Sequence, residues 1–90
     1  TIGSENQPHE SAILDLQASN KGFLGPRVAL TGKYDNTTIP DAIPGLLVIN
    51  TAQPDIRLPE EERVYPYRFY YWVETNTSHW ERFVGQDEIE

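Results

Sequence analysis

Apolar and polar positions along this chain repeat mostly at the two-residue spacing of strands, in short stretches separated by loops rich in Pro and Gly. In "SAILDLQASNKG" (residues 11–22), Ala12, Leu14, Leu16 and Ala18 share one parity, and Asp15 and Gln17 share the other. That pattern predicts a half-buried strand, although Ile13 breaks it; a single helical turn competes, because Ala, Leu and Gln favour helix. "SNKG" closes the stretch as a turn, since Asn and Gly tolerate positive φ. "GFLGPRVALTG" (22–32) is apolar but broken by Gly25 and Pro26. Pro has no N–H for a central ladder, so this piece reads as an edge segment or a bulged strand, with a short strand at 28–30. "KYDNTTIPDAIPG" (33–45) is a loop punctuated by Pro40 and Pro44. "GLLVIN" (45–50) is a short apolar run that suits a strand buried on both faces. "TAQPDIRLPEEERVYP" (51–66) is again a loop. Its run of Glu60, Glu61 and Glu62 reads as a solvated turn, with helix capping or cation binding as the alternatives.

"YRFYYWVE" (67–74) and "HWERFVG" (79–85) predict the two strands of a hairpin turning through "TNTS". Phe69, Tyr71 and Val73 then share one face, and Arg68, Tyr70, Trp72 and Glu74 the other. Trp72 and Trp80 flank the turn and fall near each other across it. Because both faces carry aromatic side chains, one packs on the domain's own strands and the other meets solvent, a ligand or another chain. Three uses stay open: a core of large side chains, a subunit contact, and a platform of Tyr70, Trp72 and Trp80 stacking on sugar rings.

The expected fold is all-β: a small antiparallel β domain (11–85) of short strands and long Pro-rich loops, ending in the aromatic hairpin. An extended arm (1–10) precedes it and a polar tail (86–90) follows. Ninety residues make one domain at most, and a chain of that size has a thin core. The apolar share is only 38% and there is no Cys, so disulfides and Cys-based zinc sites are out. Oligomerisation is the reinforcement left to so small a fold. The net charge of −7 repels phosphate backbones and anionic membrane surfaces, so neither nucleic acid nor membrane insertion is expected. The N-terminus has no signal-peptide pattern, and with no Met anywhere the chain reads as processed or as a piece of something longer.

Catalytic chemistry is not expected. His9 and His79 have no spaced partners that would make a metal site, no carboxylates are paired for acid–base work, and no Ser or Gly-rich stretch has a catalytic or phosphate-cradling context. No metal and no cofactor is implied. The sequons at Asn36 and Asn76 matter only in a secretory eukaryotic setting.

The ordered set "SAILDLQASNKGFLGPRVALTG", "IPGLLVINTA", "YPYRFYYWVE" and "HWERFV" resembles a fibre-type structural module of phages infecting gut Bacteroidetes, head fibres among them, which also occurs in surface proteins of those bacteria. The likeness spans about residues 10–84. It departs at Gly25, where the family often has a Pro, and in the long turn "VETNTSH". The resemblance implies a virion structural protein, a head-fibre or tail-fibre component. Such a protein assembles as a homo-oligomer, most often a trimer, and touches capsid or other virion proteins. Its implied contacts are Phe23, Leu24 and Arg27 from "KGFLGPR" with Phe69, Tyr70, Trp72 and Trp80 from the hairpin. The arm, with Ile2, Gly3 and Pro8, would be the attachment segment. The alternative is a glycan- or surface-binding adhesion module, secreted or on a bacterial surface.

Overall fold

A computed structural model of the chain describes residues 5–83. It contains one four-stranded sheet in the order β1-β2-β3-β4. The strands are β1 (Arg27–Val28), β2 (Leu47–Asn50), β3 (Arg68–Glu74) and β4 (Ser78–Arg82). The helical structure among the described residues is a single 3₁₀ turn, Glu60–Glu62. The all-β expectation holds, with one departure from a wholly antiparallel sheet: β1 runs parallel to β2, with Arg27 opposite Ile49. A parallel pair needs a long crossover, and the Pro-rich loop 29–46 supplies it without a helix. β2·β3 and β3·β4 are antiparallel, with Ile49 opposite Phe69 and Trp72 opposite Trp80.

The core lies on one face of the sheet, where Val48, Tyr70, Trp72 and Trp80 pack with Leu30 and Val64. Loops cover that face. Leu30 arrives from the end of β1, Ile39, Ala42 and Leu46 from the crossover, and Val64 from the loop before β3. Loops can line a core only if their backbone polar groups find partners, since an unpaired buried amide costs about 1–3 kcal/mol. Two buried polar side chains meet most of that demand. Asn50 is fully buried. Its Oδ1 accepts from the N–H groups of Leu30 (2.9 Å) and Ala52 (3.1 Å), and its Nδ2 donates to the carbonyls of Ala52 (3.0 Å) and Tyr65 (2.9 Å). The short strand expected at 28–30 is therefore cut at Val28, because Leu30 gives its N–H to Asn50 and turns into the core.

Asp35 does the same for the start of the crossover. Its carboxylate accepts from the N–H groups of Thr31, Thr37 and Thr38 and from the hydroxyls of Thr37 and Thr38. Burial alone raises a carboxyl pKa; here the bonds from Thr38, Thr31 and Thr37 outweigh it and hold Asp35 well below the usual carboxylate range. The loop they shape carries Lys33 against β4, where its carbonyl accepts the Trp80 N–H (2.8 Å), and the Asp35 carbonyl takes the Trp80 indole N–H (2.8 Å).

Residues 11–22 differ from expectation. The alternating stripe is present, but it forms no strand beyond one isolated bridge at Leu16. Asp15 accepts from the backbone N–H of His9 (2.8 Å) and from the Gln17 amide (2.9 Å), and Gln17 also donates to the Gln7 carbonyl (3.1 Å), so these side chains tie the stretch to the residues just before it. Ile13, Leu14 and Leu16 are left exposed. The Glu60–Glu62 run behaves as the solvated turn expected of it: Glu60 and Glu61 are exposed, and the Glu62 carbonyl accepts the Lys33 N–H (2.8 Å).

Candidate subunit interface

Alternation along β3 divides its aromatic side chains between two destinations. Tyr70 and Trp72 point into the core and are 3% and 5% exposed; Trp80, cross-strand from Trp72, is 2% exposed. The two indoles meet edge to face with centroids 5.0 Å apart. Each polar handle is used: Trp72 Nε1 donates to Glu74 (2.9 Å), and the Tyr70 hydroxyl accepts from the Tyr65 N–H (2.8 Å). For these three side chains the sequence left core, subunit contact and sugar platform open, and the resemblance implied a contact. Within the chain their rings are instead occupied by core packing, because the loops bearing Leu30 and Val64 cover this face.

The opposite parity faces outward. Phe69, Tyr71 and Val73 are half-buried there, beside Leu47 and Ile49 of β2. Phe83, just past β4, donates its N–H to the Phe69 carbonyl (3.0 Å) and stays 53% exposed. Its ring lies 5.1 Å from that of Tyr71 and 6.2 Å from that of Phe69. Gly25 extends the strip. A Cβ there would stand 3.1 Å from the Phe23 ring and 3.5 Å from the Phe69 ring, so the absent side chain lets both rings crowd one backbone position. Phe23, Phe69, Tyr71 and Phe83 thus make one aromatic strip on the uncovered face. Arg27 belongs to the same row as Ile49 and Phe69, is itself exposed, and donates to the Gly25 carbonyl (3.2 Å). Leu24, beside Phe23 in sequence, is 70% exposed.

Four of the residues expected at a contact, Phe23, Leu24, Arg27 and Phe69, are therefore available to a partner. Pro8 is exposed in the arm; Ile2 and Gly3 lie outside the described residues. Tyr71 and Phe83 belong to the strip and were not singled out from the sequence. The signal for Tyr71 was its shared parity with Phe69, which identifies a face without saying which face the loops will cover.

The sheet edges are poorly suited to further strand pairing. β1 is two residues long and follows Pro26, which has no N–H. The outer edge of β4 is met by the 31–35 loop through the Trp80–Lys33 bond. Among the described residues, three of the surface clefts hold about 190, 250 and 290 Å³, below the roughly 300–1,000 Å³ of ordinary ligand pockets. Among the described residues no group of three or more His, Asp or Glu is arranged to hold a metal ion, and no helix is long and apolar enough to cross a membrane.

Residues 1–89 match the protein family described as "Phage tail like trimerisation region". No curated protein and no solved structure matches the chain.

Proposed function

The chain belongs to the phage tail-like trimerisation region family, and from that premise we propose that it is a structural, non-catalytic module that joins three copies of a tail-type fibre protein through the outer face of its sheet. The observation that carries this reading is the strip of Phe23, Phe69, Tyr71 and Phe83 on the sheet face opposite the core, in which Phe23 and Phe83 are exposed and Phe69 and Tyr71 half-buried. Monomeric proteins seldom leave contiguous aromatic surface uncovered, and interface cores are enriched in such side chains. Three copies around an axis would bring the strips together, with Arg27 and Leu24 at their margins. A tail-type fibre is favoured over a head fibre because the matched family is one of tail-like regions.

The test is the molar mass of the purified chain by light scattering across micromolar concentrations. Three chains of 10.3 kDa, about 31 kDa, is the expected mass; a monomer of 10.3 kDa at every concentration would remove the proposal.

A further inference from the structure

Two clusters of exposed apolar side chains among the described residues bear on assembly. One is the aromatic strip. The other is the stripe of residues 11–22, which extend the N-terminal arm up to the body, where Leu14 is 59% and Leu16 45% exposed, with Ile13 fully exposed beside them. The arm has the alternation of a half-buried strand, Ala12, Leu14, Leu16 and Ala18 against Asp15 and Gln17, but among the described residues it makes one isolated bridge, at Leu16, and adds no strand to the four-stranded sheet. A sequence that patterns a strand for burial needs a surface to bury it against. We propose that the arm of each copy lies across the outer sheet face of the next copy, its Leu14 and Leu16 seated on that neighbour's Phe69, Tyr71 and Phe83, so that the trimer is closed by exchange of arms.

Three observations favour this occupant. The arm leaves the body at Phe23 and Gly25, at the margin of the strip, so it is continuous with the face the trimer uses. Its reach spans the narrower directions: residues 13–24 drawn out cover at most about 40 Å, more than the 27 and 24 Å of the chain's two shorter principal axes though less than the 49 Å of the longest. The sheet edges are closed to it by Pro26 and by the Lys33 carbonyl on β4, which leaves the face. Each copy gives its arm in one direction and receives another, a heterologous contact that closes into a ring after three copies.

This inference rests on the trimer reading, and the experiment separates the two. Leu14→Asp and Leu16→Asp are introduced together in the full chain, at positions whose exposure in the single chain makes them harmless to its fold. With the wild type trimeric, the variant is expected to fall to the monomer mass while the near-ultraviolet circular dichroism of the Trp72–Trp80 pair is unchanged. As the chain has no Cys, a second variant, Leu16→Cys with Phe83→Cys, can be oxidised cleanly. Arm exchange gives disulfide-linked species up to three chains on a non-reducing gel. A double-Asp variant that stays trimeric overturns the arm inference and leaves the trimer reading standing, as does a Cys pair that links only within a chain or not at all. A monomeric wild type removes both.

Discussion

Asn50 and Asp35 each do for a loop what a regular element does for itself. Asn50 makes four hydrogen bonds to the backbone of residues 30, 52 and 65, two as acceptor and two as donor, from a site with no solvent exposure. Asn50→Ala leaves the buried Leu30 N–H and the Tyr65 carbonyl without these partners. The expected cost is about 3 kcal/mol, a large part of the roughly 5–15 kcal/mol that holds a small domain together. Urea unfolding followed by Trp fluorescence, at fixed protein concentration because oligomers are stabilised by mass action, measures it. A loss below about 0.5 kcal/mol, the range of ordinary surface substitutions, would mean that the loops hold without Asn50.

Asp35 has a pH signature. Its folded pKa lies below the unfolded value near 4. Its stabilisation is therefore fully present above about pH 4 and is lost as pH falls through the folded pKa, where the carboxylate that accepts five hydrogen bonds is neutralised. In Asp35→Asn the side-chain oxygen still accepts but the charge is gone. The variant is expected to be less stable at pH 7 and to show a shallower decline of stability below pH 4. Parallel urea titrations from pH 2 to 7 decide it; equal acid slopes for the two proteins would assign the acid sensitivity to other carboxylates.

Among the elements, the β3–β4 hairpin was legible in advance, while its register across the long turn "VETNTSH" was fixed by the fold, which sets Trp72 opposite Trp80. Trp72 and Trp80 flank that polar turn, and they are paired in the sheet with centroids 5.0 Å apart. An edge-to-face aromatic pair contributes about 0.5–1.5 kcal/mol beyond the area it buries. A double-mutant cycle with Trp72→Leu and Trp80→Leu should return a coupling energy in that range, and Trp80→Leu should cost more than Trp72→Leu because the indole bond it loses, to the Asp35 carbonyl, is buried, whereas that of Trp72 to Glu74 is only part-buried. Additive losses would show that the rings pack independently. The 11–22 stretch had an equally clear alternation and yet no sheet to join. Alternation states which side chains want burial, and a strand forms only where a neighbour supplies the ladder and the surface.

For the whole molecule, the consequence is a sheet finished on one face only. Phe83 is half exposed and lies outside the core cluster. Phe83→Glu should therefore leave the stability of the single chain within about 0.5 kcal/mol while placing a charge inside the proposed trimer contact. The expected result is a monomer with unchanged near-ultraviolet circular dichroism, read by sedimentation velocity. Persistence of a trimer would move the contact away from the strip. Each chain brings a charge of −7 to the assembly, so the contact has to be apolar enough to outweigh the mutual repulsion, and four clustered aromatic rings suit that requirement.

By itself the sequence determined the local preferences: β over helix, the hairpin and its Trp pair, the buried "GLLVIN" strand, the Pro-broken segment that became a two-residue edge strand, and an ordered motif set resembling phage fibre modules. Those features depend on neighbours along the chain or directly across a turn. Only the tertiary structure decided which parity of "RFYYWV" is core. Alternation gives two faces of nearly equal aromatic content, and the choice falls to loops from residues 29–46 and 51–67 that bury Tyr70 and Trp72 and leave Phe69 and Tyr71 half-buried on the other face. The same holds for Asn50 and Asp35. In the sequence they are a polar residue ending an apolar run and an acid in a loop, and their roles come from backbone groups up to twenty residues away that have no other partner.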